Sequence, residues 1–224
     1  EALNAEGIHV IETDLGEYIV QIGDDHPSHI IMPVMHMTKE RVRDLFVEKL
    51  DMPPMADPVE PAKIAAHARK LLRQKYLEAD FGMSGGNFMI AETGTVAIVT
   101  NEGNGRLSTG LPPVHIAVVG IEKIVPTWED FATLVQLLPR SGTGQRMTVY
   151  VNMFNGPASP DEPDGPEEFY LVLLDNGRSN IYASEYTEAL ACIRCGACRN
   201  ACPVYQNVGG HTYGWGYPGP IRAI

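Results

Sequence analysis

With 224 residues and 24.5 kDa, the chain has room for one large α/β domain plus an appendage or for two small domains, and 44% apolar with 20% charged residues excludes wholesale disorder. Acidic residues outnumber basic ones 28 to 17, a formal charge of −11 that opposes binding to a nucleic-acid backbone or an anionic bilayer. No apolar run approaches the roughly 18 residues of a spanning helix, so a soluble chain without a transmembrane segment is expected.

Residues 8–12 and 29–35 are short apolar runs bounded by Gly, Asp and Pro, the pattern of buried strands. Thr38 then caps a helix in which Val42, Leu45, Phe46 and Leu50 recur at helical spacing, and 52–61, with four prolines, is a loop. A second helix places Ile64, Ala68, Leu71, Leu72 and Tyr76 on one apolar stripe. Residues 88–91, 95–100 and 115–121 are apolar and β-branched strands, separated by the glycine-rich segments 82–87 and 101–110. Thr127 caps a helix carrying Phe131, Leu134, Val135 and Leu138 at i, i+3, i+4 and i+7. A strand over 147–154 and a Pro, Asp and Glu-rich loop over 155–167 follow. Residues 169–174 and 178–183 read as a hairpin, because the intervening Asn176-Gly177 supplies the positive φ angles of a tight turn. Ser184 caps a last short helix that runs into Cys192, and the residues after Gly209 read as an extended arm. This alternation of strands and helices favours an α/β layered sheet with flanking helices.

All four cysteines fall in Cys192-Ile-Arg-Cys195-Gly-Ala-Cys198-Arg-Asn-Ala-Cys202-Pro203, the C-x2-C-x2-C-x3-C-P spacing of bacterial [4Fe-4S] ferredoxins. Two-residue spacers let thiolates converge on one cube, Gly196 lets the backbone curl around the sulfurs, and Pro203 turns the chain away. Structural zinc sites hold two C-x2-C halves farther apart, so iron–sulfur is favoured over zinc. Cysteines in one tight run point to metal chemistry in a reducing compartment, with the cytosol expected. Two cubanes need about eight thiolates. Either a second motif lies beyond Ile224 or a partner completes the sites, and ligand count favours the first, in keeping with a chain that opens on Glu1. Arg194 and Arg199 are either ordinary exposed charges or cations that raise the cluster potential.

Gly82-Met-Ser-Gly-Gly-Asn-Phe, Ala91-Glu-Thr-Gly-Thr-Val and Thr100-Asn-Glu-Gly-Asn-Gly-Arg106 put small and polar residues at strand ends, where loops of an open α/β sheet form a crevice. Backbone N–H groups there suit an anion and Arg106 suits a carboxylate, although no nucleotide fingerprint matches and tight turns account for the glycines as well. These segments, with Leu111-Pro-Pro-Val-His-Ile-Ala-Val-Val-Gly-Ile-Glu-Lys-Ile-Val-Pro126, resemble the lactate-utilisation (LUD) domain. Joined to the cysteine run, they resemble the lactate utilization protein B family. The resemblance implies a fold related to the sugar-phosphate isomerase and CoA-transferase group, with a LUD-type α/β domain over 1–187. Over 188–224 it implies the first half of a ferredoxin-like module, with two [4Fe-4S] clusters in the full-length protein. It further implies action with two sister subunits in oxidising L-lactate to pyruvate in bacteria. This chain departs from the family in carrying only the first motif.

A 2-hydroxy acid oxidation needs a base, a cation for the carboxylate and an electron acceptor. Clusters move single electrons and accept no hydride, so the chain reads as an electron-transfer subunit and not a complete enzyme. Glu92 and Glu102, each beside a glycine at a strand end, are the candidate carboxylates. With Thr93 and Arg106 they make the candidate site for L-lactate or pyruvate. His115, His29 and His36 read as core histidines, and His211 as an exposed tail histidine or a substitute for a missing thiolate. Two other readings stay open: an assembly or ligand-binding module that positions the cluster segment, and an acyl or CoA transferase with Glu92 as nucleophile.

Overall fold

The computed structural model describes residues 2–213, 219 and 220 of the chain. The chain divides into two compact units, one running to Lys75 and joined by the segment from Val208, the other running from Tyr76 to Asn207.

The first unit is helical. It holds α1 (Ala2–Ala5), α2 (Leu15–Ile22), α3 (Lys39–Lys49) and most of α4 (Pro61–Glu78). Asp14 starts α2 by accepting from the N–H groups of Gly16 and Glu17, and Thr38 starts α3 by accepting from Arg41, which satisfies donors the helix itself leaves open. Ile19, Leu45, Phe46, Met52, Val59, Ile64 and Ala68 form the core. The expected stripe on α4 is present: Ile64, Ala68, Leu72 and Tyr76 are buried and Leu71 is half-buried.

Two strands expected in this unit do not form. Along 8–12 the side chain of Gln21 replaces a strand neighbour, accepting from Glu12 N–H at 2.9 Å and donating to Val10 C=O at 2.8 Å. Along 29–35 the chain closes on itself, because Ser28 donates through both its N–H and its hydroxyl to Pro33 C=O and the buried His29 accepts through Nδ1 from Ile31 and Met32. Backbone groups satisfied by nearby side chains have no need of a ladder.

The second unit contains β1 (Phe81–Ser84), β2 (Phe88–Ile90), β3 (Thr95–Thr100), α5 (Asn104–Gly110), β4 (Val114–Gly120), β5 (Ile124–Val125), α6 (Trp128–Thr143), β6 (Tyr150–Phe154), β7 (Glu168–Leu174), α7 (Arg178–Tyr182), α8 (Ala197–Ala201) and α9 (Pro203–Val208). One sheet, β1-β4-β7, is parallel throughout, and the other has the order β5-β2-β3-β6 with β2 and β6 antiparallel to β3. Register assigns the faces. Met89 lies opposite Val96, and both join Ala117, Val119, Phe154, Phe169 and Leu171 in the layer between the sheets. The neighbouring pair Phe88 and Ala97 points the other way, where Phe88, Ile90, Ala97 and Val125 meet Phe131 and Leu138 of α6. The unit is therefore a mixed α/β stack of sheet, sheet and helix. Each large side chain sealed in these layers, such as Phe88, contributes about 2–3 kcal/mol.

α6 begins at a capping box in which Thr127 and Asp130 each take the other's backbone N–H. The glycine-rich 82–87 segment includes a strand, β1, and glycine is required there by close approach: a Cβ on Gly82 would stand 1.8 Å from the carbonyl oxygen of Ser108 in α5. The expected hairpin after β7 is instead a strand followed by α7. Asn176 and Gly177 take the positive φ angles their types favour, 44° and 83°. The Asp175 carboxylate then accepts from Ser179 N–H and Oγ, and Arg178 buries its guanidinium, so the chain winds into a helix and does not return as a strand. The helix expected after Ser184 is a 3-10 turn, Thr187–Ala191. The arm expected after Gly209 falls largely on residues 214–218 and 221–224, outside the described residues, and is preceded by a 3-10 turn, His211–Tyr213.

Candidate functional site

The cysteine segment starts where the Thr187–Ala191 turn ends at Cys192. Arg194 and Gly196 both take left-handed backbone angles, φ 58° and 77°, so the chain curls twice within three residues. Gly196 opens α8, which carries Cys198 and ends at Cys202, and Pro203 occupies the first position of α9, where its missing N–H leaves no hydrogen bond unmade. None of the four cysteines is in a disulfide; Cys198 is exposed and the other three are half-buried. Cys202 Sγ accepts from Tyr205 N–H at 3.5 Å, the type of N–H···S contact that tunes cluster potentials. Four soft sulfur donors on a doubly curled loop with a backbone N–H aimed at one of them suit an iron–sulfur cluster, and the segment is an iron–sulfur segment on this donor chemistry.

The segment is anchored in two ways. Ile193 and Cys195 pack against the cluster of Phe88, Ile90 and Phe131, which ties the thiolate loop to the sheet-and-helix layer. Beside it, the Glu122 carboxylate, with its side chain 1% exposed, is paired with Nε of Arg178 through one oxygen and with Arg194 Nη2 at 3.3 Å through the other. Lys123 is buried next to this triad. Burial, with the positive charges of Arg194 and Arg178, pushes its pKa down to about 8 against the opposing pull of Glu122 and Cys192. Of the two arginines of the run, Arg194 is exposed and paired with Glu122, whereas Arg199 is buried with its guanidinium 4.7 Å from the centre of the Tyr205 ring.

The candidate substrate residues separate into two groups. Glu92 and Thr93 sit in the turn before β3; Glu92 Oε2 accepts from Trp128 N–H at the start of α6 at 3.3 Å, and Thr93 Oγ1 lies 2.8 Å from Thr95 Oγ1. Glu102 and Arg106 lie past the far end of β3, where Glu102 N–H donates to Thr100 Oγ1 and Arg106 pairs with exposed Asp164 at 3.7 Å. A six-residue strand between the groups holds them about 17 Å apart or more, so the fold does not bring the four together.

His115 is buried between Phe154 and Phe169, donates or accepts at Nε2 with Ser84 Oγ at 2.8 Å, and is pushed by burial down to a pKa of about 4. His29 is fully buried. His36 and His211 are not core residues: their rings stack edge to face, with centroids 4.5 Å apart, and His211 Nε2 donates to His26 C=O. Sequence reasoning missed Glu122 and Arg178. The available signal was the charged Glu122-Lys123 pair between the apolar runs 116–121 and 124–125, since a charge flanked by strand residues on both sides is placed where burial demands a partner.

Residues 2–174 match the family described as LUD domain, and residues 188–222 match the 4Fe-4S dicluster domain. Lactate utilization protein B of Bacillus subtilis is 55% identical over 225 aligned residues, and that of Bacillus licheniformis is 54% identical, each alignment covering 100% of this chain and 46% of the relative. The chain thus spans about half the length of the curated relatives it matches. Among solved structures, a DUF162 family protein from Deinococcus radiodurans aligns at 22% identity with a TM-score of 0.35, covering 45% of this chain and 56% of that one.

Proposed function

We propose that this chain, which belongs to the LUD domain family, carries the iron–sulfur relay of a bacterial cytosolic system that oxidises L-lactate to pyruvate together with sister subunits. The observation that carries this reading is the anchoring of the cysteine loop on a folded layer: Cys195 packs on the Phe88 and Ile90 cluster, and Arg194 is held by the buried Glu122 carboxylate. A rigid loop changes little when a single charge arrives or leaves, which is what a relay requires. The reading assigns residues 1–187 to the LUD-type domain and 188–224 to the start of the ferredoxin-like module.

Lactate oxidation releases two electrons and two protons, and a bound [4Fe-4S] cluster supplies transfer of one electron at a time. Cys192, Cys195, Cys198 and Cys202 hold iron in this reading. Buried Arg199 adds positive charge behind the loop, while Arg194 and Arg178 share the single negative charge of Glu122.

A second reading is favoured by the separation of Glu92 and Thr93 from Glu102 and Arg106 on opposite ends of β3. In it, the LUD-type domain positions the cluster segment and touches no substrate. One experiment separates the two. The full-length protein, prepared without oxygen and mixed with its sister subunits, is expected to be brown and to bleach in the visible on addition of L-lactate. Arg106→Ala or Glu102→Ala slows that bleaching if the domain binds substrate and leaves it unchanged if the domain only positions. Protein that holds zinc without iron or acid-labile sulfide removes the relay itself.

A further inference from the structure

The loop between α2 and α3 and the segment after α9 make a second group of ligand-type side chains in the first unit. The ligand atoms of Asp25, His36 and His211 all lie within 4.8 Å of one another. None of the three belongs to the cysteine run.

The arrangement is built into the backbone. The double hydrogen bond from Ser28 to Pro33 C=O closes the 28–33 loop, and the buried His29 ring braces it from inside. Gly210 allows the later segment to lie on this loop, since a Cβ there would come within 1.7 Å of Ser28 C=O, and Gly209 makes the approach at φ 74°. That contact delivers His211 to His36.

Hydrogen bonds then orient both rings. A carbonyl oxygen only accepts, so His211 Nε2, 2.8 Å from His26 C=O, carries its proton and Nδ1 carries the lone pair. His36 Nδ1 lies 2.8 Å from the Ser28 hydroxyl, which itself reaches Pro33 C=O. His36 Nε2 faces Asp25 Oδ2 at 3.0 Å. A proton bridges a ring nitrogen and a carboxylate oxygen at that distance, and a metal ion can take its place. Two ligands bound at about 2.1 Å to one ion are themselves about 3.0–3.4 Å apart, so the observed spacing suits a common metal as well as a proton. Each imidazole also presents its second ring nitrogen to a serine hydroxyl or a carbonyl, the outer support that ligating histidines characteristically have. Asp25 Oδ1 accepts from His26 N–H at 2.7 Å, which orients the carboxylate and leaves Oδ2 for the site.

The geometry points to a mononuclear divalent zinc-class site formed by Asp25, His36 and His211, separate from the cysteine segment. Imidazole nitrogens with one carboxylate select zinc and its neighbours over calcium or magnesium, which take oxygen donors. The His36 and Asp25 side chains are 24% and 35% exposed, which leaves the remaining positions on the ion to water or an exchangeable ligand. Such an ion pins the 208–213 segment onto the 25–36 loop.

The test uses the full-length protein with its clusters assembled, so that the cysteines are occupied, and zinc and cobalt ions as probes. Equilibrium dialysis against Zn2+ is expected to give about one additional equivalent bound at micromolar concentration or tighter, weakened at least tenfold in His36→Gln and in His211→Ala. Cobalt in the same site is expected to show weak d–d bands without the intense sulfur-to-cobalt absorption of a thiolate site. Far-UV circular dichroism of each variant in EDTA verifies that the fold persists, and His211→Ala, on a short segment outside the hydrophobic core, remains informative if His36→Gln fails to fold. No additional zinc in the parent protein, or unchanged affinity in folded His211→Ala, overturns the site and leaves the Asp25–His36 pair sharing a proton alone.

Discussion

Glu122 holds Arg194 across 72 residues of chain: Arg194 Nη2 donates to Glu122 Oε1 at 3.3 Å, while the other oxygen faces Arg178 from a side chain that is 1% exposed. One buried carboxylate thus pairs with two guanidiniums and holds the residue that directly precedes Cys195. Glu122→Gln leaves both cations without a counter-charge and is expected to lower the unfolding free energy by about 3–5 kcal/mol, the scale for removing one member of a buried pair. Arg194→Met should cost only about 0–1 kcal/mol, because the Arg194 side chain is 39% exposed and its pairing is screened by water. Urea denaturation of the two variants checks the order, and equal losses would contradict it.

Cys198 is exposed, whereas Cys195 packs against the Phe88 layer. Cys198→Ala therefore removes a sulfur donor with little loss of packing. Its cluster-free form is expected to unfold within about 0.5 kcal/mol of the parent, as surface substitutions do. The same variant made without oxygen should contain less iron and less acid-labile sulfide. Full iron content in it would take Cys198 out of the ligand set.

His115 titrates at about 4 in the folded chain and near 6.5 when unfolded. A depressed folded value means that the unfolded chain takes up the proton first as pH falls. Stability from the neutral ring is then fully present above pH 6.5 and is lost as pH falls toward 4, by about 3 kcal/mol in all. The measurement is the pH dependence of unfolding free energy between 7 and 4 in the parent and in His115→Gln. The parent curve should fall more steeply, and parallel curves would show that His115 is not protected.

Gly82 admits α5 to the edge of β1, with Ser108 C=O 1.8 Å from where a Cβ would stand. Gly82→Ala must push backbone away from backbone, since no flexible side-chain end can yield. The expected loss is about 1–3 kcal/mol in thermal or denaturant unfolding. Gly94, with open space around its Cβ position, supplies the control: at φ 70° it should lose only the left-handed strain, about 1 kcal/mol.

Several features were legible because their causes are local. The C-x2-C-x2-C-x3-C-P spacing places four thiols within eleven residues whatever the rest of the chain does, and Gly196 takes the left-handed angle its type favours. Thr38 and Thr127 announce α3 and α6 because a cap is a contract between neighbours three residues apart. Asp14 carried the same signal for α2, and the Gly-rich run hid α5, which has no side-chain cap to mark it.

Other features depend on which distant groups meet, and no local pattern contains that. Residues 8–12 look like a strand until Gln21 takes their hydrogen bonds, and the turn at Asn176-Gly177 looks like a hairpin until Glu122 claims Arg178. Tertiary structure alone set Glu92 and Glu102 at opposite ends of β3, brought His211 to Asp25 and His36, and buried one carboxylate beneath the thiolate loop. The amino-acid order specified which atoms can bind iron. Folding decided what stands behind them, because the energy of a buried charge or a shared ligand belongs to groups that are remote along the chain and adjacent only in space.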